Sequence, residues 1–407
     1  METTVCEVCG NSNLISALDL GTHPLCDDLV AIGETRVCKE YPINLLLCST
    51  CVTVFQRVQV PKTELFPPSY HYRARFTADV LAGMQQMVAE CEKIEGDLSG
   101  KLVVDIGCND GSLLDFFKAK GCKTVGVEPT DASIDAREKG HSIYANYFTA
   151  DIADLIVAEH GRPDIITFTN VFAHIENLPA LLGALKNMLS EDTLIAIENH
   201  YLGSVLDRYQ FDTFYHEHPR TYSLTSFVHI ARTLGMKLLN VEFPSRYGGN
   251  IRIFIGSEKR GMMTPQIDAT LDKEKLFGAR LLSFQDKIDR WKIGSRAQFQ
   301  ALVEKFGKLP AKAFPARVAI LVHLLGFDTE TIAAVYERPG SKKIGHYVPG
   351  TRIPIRSEEE LFAGAANAPV VVNFAWHIHN EIWDYLRKHG ITGEIVDIFD
   401  PDKFHPA

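Results

Sequence analysis

The spacing of apolar positions divides the chain into segments of different period. In KLVVDIGCNDGSLLDFFKAKGCKTVGVEPT, which begins at Lys101, the apolar run from Leu102 to Ile106 ends in a glycine turn, as a buried parallel strand does. The following GSLLDFFKAKG has helical spacing with Gly121 as its stop, and KTVGVE is the next strand, closing on Glu128. Strand, glycine loop, helix, strand and acid form the core of a Rossmann-like unit. Downstream, DIITFTNVFAHI predicts a strand ending at Thr169 and Asn170, with His174 in the loop beyond it. TLIAIEN is a further buried strand, SFVHIARTLGM an amphipathic helix ending near Gly235, and KLLNVEF a following strand. Residues 257 to about 310 read as charged helix. From about residue 300, ETIAAVYE, PVVVNFAW, IHNEIWDYLRKHG and EIVDIFD alternate strand and helix again, predicting a second, smaller parallel sheet. The predicted fold class is α/β.

A chain of 407 residues exceeds one typical core, so two or three domains are expected. The net charge of −9 disfavours nucleic acid and anionic membrane as partners. No apolar run approaches the roughly 18–20 residues that span a bilayer. The N-terminal METTVCEVCG has neither the basic nor the apolar region of a secretory signal, so the expected compartment is the cytoplasm. Nine cysteines in such a chain do not suggest a disulfide framework, and six of them fall in the first 51 residues.

That clustering points to a metal. VCEVCG and LLLCSTCV place Cys6, Cys9, Cys48 and Cys51 in two C-x2-C turns, each able to present two thiolates to one tetrahedral ion. The 38 intervening residues exceed the ~15–20 of compact zinc modules, which implies an inserted loop carrying Cys26 and Cys38 as non-ligands. Four protein ligands close a site to water, so a structural Zn2+ is expected.

The loop GCNDGS lacks the third glycine of a dinucleotide fingerprint. A cofactor without a pyrophosphate instead requires close backbone approach and polar groups, and Glu128 stands where an acid can accept hydrogen bonds from ribose hydroxyls. With the acid 23 residues after Asp105, these features resemble class I S-adenosylmethionine-dependent methyltransferases. The resemblance implies S-adenosylmethionine as cofactor, held by Asp105, Gly107, Asn109, Gly111, Ser112, Glu128, Pro129 and Asn170.

FDTFYHEHPRTYSL, from Phe211 to Leu224, admits three readings: a metal site, an acid/base site or a polar surface loop. His216 and His218 lack a third nearby ligand and the four-residue spacing of helical zinc motifs, and an extended segment would turn Glu217 to the opposite side. The aromatic neighbours Phe211, Phe214, Tyr215 and Tyr222 weigh against a solvated loop. Acid/base chemistry is the favoured reading.

The whole chain resembles the sugar C-methyltransferases that act on nucleotide-linked 4-keto-deoxysugars. The shared stretches are the paired CxxC motifs, YHYRARFT, DIGCNDGS, GVEPT, NVFAHI, FDTFYHEH, YGGNIRIFI, KKIGHYVPGTRIPI and NFAWHIHNEI, in family order over nearly the full length. The resemblance implies a zinc-binding module over 1–75 and a methyltransferase domain over 76–256. A helical connector and C-terminal α/β domain over 257–407 would close over the nucleotide-sugar. It also implies that His218 is the general base, supported by Tyr215, Glu217, His174 and Tyr72. Substrate contacts would come from Tyr70, Tyr72, Asn199, Tyr222, Gly249, Asn250, Arg317, Lys343 and Arg352. The implied reaction is deprotonation beside the ketone of a dTDP- or GDP-linked sugar at C-3 and methyl transfer to the enolate, with O- or N-methylation as the alternative. Two departures bear on the substrate. KAFPARVAI puts Arg317 where relatives carry a lysine in a YGAPAKG-like stretch, and YHYRARFT lacks the serine pair common after the tyrosines. The oligomeric state is not legible.

Overall fold

The computed structural model describes residues 2–66, 73–261, 266–364 and 368–404. Tyr70 and Tyr72 lie outside the described residues. The chain forms two compact units. The first comprises residues 1–16, 46–207 and 217–279, the second residues 17–45, 208–216 and 280–407. The division therefore falls between His216 and Glu217, inside the stretch that carries the histidines.

The first unit is built on seven strands: β1 (Leu102–Ile106), β2 (Lys123–Val127), β3 (Ser142–Tyr144), β4 (Ile165–Thr169), β5 (Leu194–His200), β6 (Met236–Glu242) and β7 (Asn250–Ser257), in the spatial order β6-β7-β5-β4-β1-β2-β3. Strands β1 to β5 pair in parallel. β7 runs antiparallel between β5 and β6. All five residues of β1 are buried, consistent with a central strand covered on both faces. The helix Ala78–Glu95 lays Val80, Met84, Met87, Val88 and Cys91 onto the sheet at spacings of three and four, and Ser112–Ala119 does so with Leu113, Leu114 and Phe117. From β1 the chain passes to β2 on one side and later to β4 on the other. The carboxyl ends around β1 are thus the topological switch point, where α/β sheets take up ligands. Leu224–Thr233 is helical as expected. It starts at a capping box in which Ser223 and Ser226 satisfy each other's backbone N–H groups.

The second unit carries the smaller parallel sheet: β8 (Leu309–Lys312), β9 (Ile332–Glu337), β10 (Ile355–Ser357), β11 (Val370–Asn373) and β12 (Glu394–Asp397), ordered β10-β9-β8-β11-β12. Pro310 sits within β8 at a register irregularity, which accommodates its missing N–H. Of the expected charged helices, Phe284–Phe306 belongs to this unit, Gln266–Glu274 belongs to the first, and Phe277–Leu282 contains the point of division. Phe211 packs in this unit against Trp291 and Phe399, with ring centroids 5.3 Å apart in both cases. Among the described residues, no helix is long and apolar enough to cross a membrane.

Candidate active site and metal centre

The four cysteines expected to bind metal come together in the first unit, their sulfurs all within 4.8 Å of one another. Cys6 Sγ lies 3.4 Å from Cys51 Sγ and Cys9 Sγ 3.5 Å from Cys48 Sγ. A tetrahedral ion with ~2.3 Å sulfur bonds separates its ligands by about 3.8 Å, so the set fits zinc. Cys38 is elsewhere, in the second unit, where its thiol donates to the Asp28 carbonyl at 3.3 Å.

At the switch point, Gly107 adopts φ 74°, and a Cβ there would stand 2.5 Å from Val171 Cγ2. Only glycine gives that turn. Asn109, also left-handed at φ 50°, donates its backbone N–H to Glu128 Oε2 at 3.0 Å and accepts the Ala74 N–H on Oδ1 at 3.0 Å. Glu128 Oε1 already accepts both the N–H and the hydroxyl of Thr130, at 2.9 and 2.6 Å. Oε2, which accepts only the Asn109 N–H among these bonds, is therefore the oxygen with more acceptor capacity left. Pro129, half-buried, follows it. Asp110, not anticipated, takes the Ser112 hydroxyl at 2.6 Å and the Arg75 N–H at 3.1 Å. Gly111, the left-handed residue before Ser112, opens the helix. Asp105 lies beneath the loop, bonded by the Thr167 hydroxyl at 2.7 Å, and burial pushes its pKa up to about 7.

Phe211–Leu224 is not a surface loop, for every residue but the half-buried Tyr215 is buried, His216, Glu217 and His218 among them. Nor is it extended. Residues 215–217 bend and turn, so face alternation does not apply to Glu217. Within the first unit, the His218 ring lies 4.9 Å from that of His174 and 5.0 Å from that of His200, the last residue of β5. His174 bonds through Nδ1 to the Glu217 carbonyl at 2.6 Å, which places the ring proton on Nδ1. Burial holds His174 below the ordinary histidine value, opposed by the carbonyls of Glu217 and Asn170. His200 escaped the sequence reading, although its place at the carboxyl end of a buried strand was a usable signal.

Asn199 and Asn250 flank this region. Asn199 Oδ1 accepts the Ala173 N–H at 3.3 Å, and its buried Nδ2 has no hydrogen-bond partner. Asn250 donates to Glu198 at 2.9 Å and to Asn170, itself left-handed at φ 55°, at 3.2 Å, and keeps Oδ1 unpartnered. Gly249, at φ 118°, leaves a Cβ no room beside Ser204 Oγ, 2.3 Å away. Tyr222 is fully buried between Phe172 and Phe227, its hydroxyl without a partner. An ion-pair network of two arginines and an acid is not apparent from the sequence. Glu198 of β5, inaccessible to solvent, is paired with Arg246 and, at 2.7 Å, with Arg252 of β7.

In the second unit, Arg317 contacts Asp212 at 3.3 Å, and Asp212 also accepts the Trp376 indole N–H at 3.0 Å. Arg317 Nη2 and Asp212 Oδ1 are buried without hydrogen-bond partners. Burial raises the Asp212 pKa, countered by Arg317 and Trp376. Lys343 caps the Phe314 carbonyl at 2.8 Å, whereas Arg352 donates to the carbonyls of Glu34, Thr35 and Arg36 at 2.9–3.1 Å. Here too, burial pushes His216 down to about 4 and His23 to about 3; the ring nitrogens bond to the Tyr41 and Leu20 carbonyls at 3.0 and 2.7 Å. A depressed native pKa means that the unfolded chain binds more protons, so these groups withdraw stability as pH falls from ~6.5 toward their native values. His216→Gln, which keeps an N–H for Tyr41, is expected to lose less stability between pH 7 and pH 5 than the parent, read by urea unfolding at both pH values.

Three family models match the chain in order: a zinc binding domain over residues 6–66, a methyltransferase domain over 72–241 and a C-methyltransferase C-terminal domain over 245–396. The C-methyltransferase NovU of Streptomyces niveus is 28% identical over 410 residues, covering 97% of this chain and 96% of that protein. A ubiquinone biosynthesis O-methyltransferase of Glaesserella parasuis is 32% identical over 107 residues, 25% of this chain and 45% of that enzyme. Among solved structures, the magnesium protoporphyrin IX methyltransferase from Synechocystis with bound SAH aligns at 16% identity and a TM-score of 0.35, over 44% of this chain and 84% of that one.

Proposed function

We propose, from the premise that the chain belongs to the three-domain S-adenosylmethionine-dependent C-methyltransferases, that it methylates the carbon beside the ketone of a nucleotide-linked 4-keto-deoxysugar. C-3 of a dTDP- or GDP-linked sugar is the favoured position. The observation that carries this reading is the burial of the His218 ring beside His174 and His200, at the carboxyl end of β5.

A neutral sugar carbon has no electron pair to offer a methyl group. A neighbouring ketone changes that, because the C–H electrons can move into the carbonyl to form an enolate when a base accepts the proton. His218 is that base in this reading, since a neutral imidazole can accept a proton. His174 holds the Glu217 carbonyl and so fixes the backbone on which His218 stands. Asn199 Nδ2 and Asn250 Oδ1, buried and unpartnered, are candidates to bind substrate polar groups. Bound S-adenosylmethionine supplies an electrophilic methyl on a sulfonium. Glu128 and the Gly107–Ser112 loop are placed to hold its ribose and amino-acid portions. The enolate carbon would then accept that methyl group, the S–CH3 electron pair leaving with the neutral thioether and the abstracted proton remaining on His218, so positioning would carry much of the remaining acceleration. In the second unit Arg317, its Nη2 unpartnered, and Lys343 are candidates for the diphosphate. A cytoplasmic location is part of the same proposal.

The reading is tested by supplying methyl-labelled cofactor with dTDP- and GDP-4-keto-6-deoxysugars and with their 4-hydroxy counterparts. A carbon-bound methyl in the product, formed only from the ketones, is expected. An oxygen- or nitrogen-bound methyl, or equal turnover of the alcohols, overturns it.

A further inference from the structure

We propose that Glu7 and Arg220 form a positioning pair that ties the segment bearing His218 to the metal-binding knuckles. The inference rests on the reading of His218 as the base. Arg220, two residues beyond His218, is inaccessible to solvent. Its Nη2 donates to the carboxylate of Glu7, which stands between Cys6 and Cys9, and to the Glu176 carbonyl at 2.8 Å; Nη1 donates to the Ile175 carbonyl. Those two carbonyls directly follow His174, whose ring bonds back to the Glu217 carbonyl. The contacts thus close a circuit from the first knuckle through Glu7, Arg220 and His174 to the residue before His218.

The second knuckle grips the same segment from its other side. Thr53–Gln56, just after Cys51, pairs antiparallel with Arg220–Thr221, and the Gln56 N–H donates to the Pro219 carbonyl at 2.9 Å. The hydroxyls of Ser223 and Ser226 donate to the Cys51 carbonyl at 3.4 and 3.2 Å. A guanidinium taken fully out of water incurs a desolvation cost that its pairing only offsets, and an apolar residue often serves stability as well. What the ionic pair adds is direction: the planar donors fix three acceptors on two separate chain segments. The knuckles therefore do more than fold themselves. They set the register of the base.

Arg220→Met, which keeps length and apolar bulk, and Glu7→Gln, at a partly exposed carboxylate, are the test variants in the full chain. Both are expected to retain one zinc per chain and the parent affinity for S-adenosylmethionine. Turnover should fall by as much as ~100-fold with KM for the keto-sugar nearly unchanged, as displacements of about 1 Å do. Arg220→Lys should recover part of the loss, and combining Arg220→Met with Glu7→Gln should cost little more than either alone. Parent-like kcat in both single variants overturns the proposal. So does a fall in kcat that appears only together with loss of zinc or of cofactor binding, which is the mark of a merely structural pair. An active His218→Asn enzyme would instead remove the base itself, whereas an inactive one beside fully active Glu7 and Arg220 variants removes the positioning pair alone.

Discussion

Replacing His218 with asparagine is expected to lower methyl transfer on the order of 10²–10⁴-fold, the range a positioned general base contributes. Asparagine retains a polar amide of similar reach but cannot take up the proton. S-adenosylmethionine should bind as it does to the parent, because Glu128, Asn109 and Gly107 surround a different set of strand ends, those of β1 and β2. The drop should appear in kcat as well as kcat/KM, since the lost interaction exists only as the C–H bond breaks. Calorimetric cofactor binding and steady-state turnover of the same preparation check it; turnover near the parent's would leave His218 no role as base.

Glu198→Ala should destabilise the first unit by about 3–5 kcal/mol, because it strands buried cations. Arg246 would keep only the Val80 and Asp79 carbonyls. Arg252 would keep Glu242 at 2.8 Å and the Gly83 carbonyl at 2.9 Å. Asn250 would lose the acceptor that orients it toward Asn170, so cofactor affinity should weaken in parallel. Urea unfolding of the variant reports the first effect. Glu198→Leu combined with Arg246→Met and Arg252→Met should recover much of the stability, since apolar groups commonly replace buried ion pairs at little cost. A loss below about 1 kcal/mol for Glu198→Ala would show that the network is solvated, contrary to its burial.

What the sequence revealed was local. A CxxC turn, a glycine loop between a strand and a helix, and a capping serine each lie within a few residues, so their chemistry is written in short stretches. The partnership of the two CxxC pairs, 38 residues apart, was legible only because like motifs imply a shared ion. The reversed insertion of β7 between β5 and β6 was not legible, because apolar spacing identifies a strand but not its neighbours. For the same reason the Glu198–Arg252 pair was missed. Each residue interrupts an apolar strand, IAIENH and NIRIFI, and only the pairing of those strands puts Arg252 opposite Glu198. Two opposite charges in two buried strands were nevertheless a signal. The shape of the histidine stretch depended on tertiary packing. Its turn at 215–217 and its burial follow from contacts with distant residues, such as Tyr41 for His216 and His174 for Glu217. The functional tyrosine candidates Tyr70 and Tyr72 remain proposals from resemblance alone.

The central claim is carbon-acid chemistry, and proton exchange tests it without requiring methyl transfer. Enzyme with no cofactor is incubated in deuterium oxide with a panel of dTDP- and GDP-linked 4-keto-deoxysugars, and ring protons are followed by NMR. Enzyme-dependent loss of a single proton beside the ketone, at C-3, abolished by His218→Asn, is the predicted result. Retention of every ring proton across the panel, by enzyme that binds S-adenosylmethionine and methylates one of those same sugars, would contradict it.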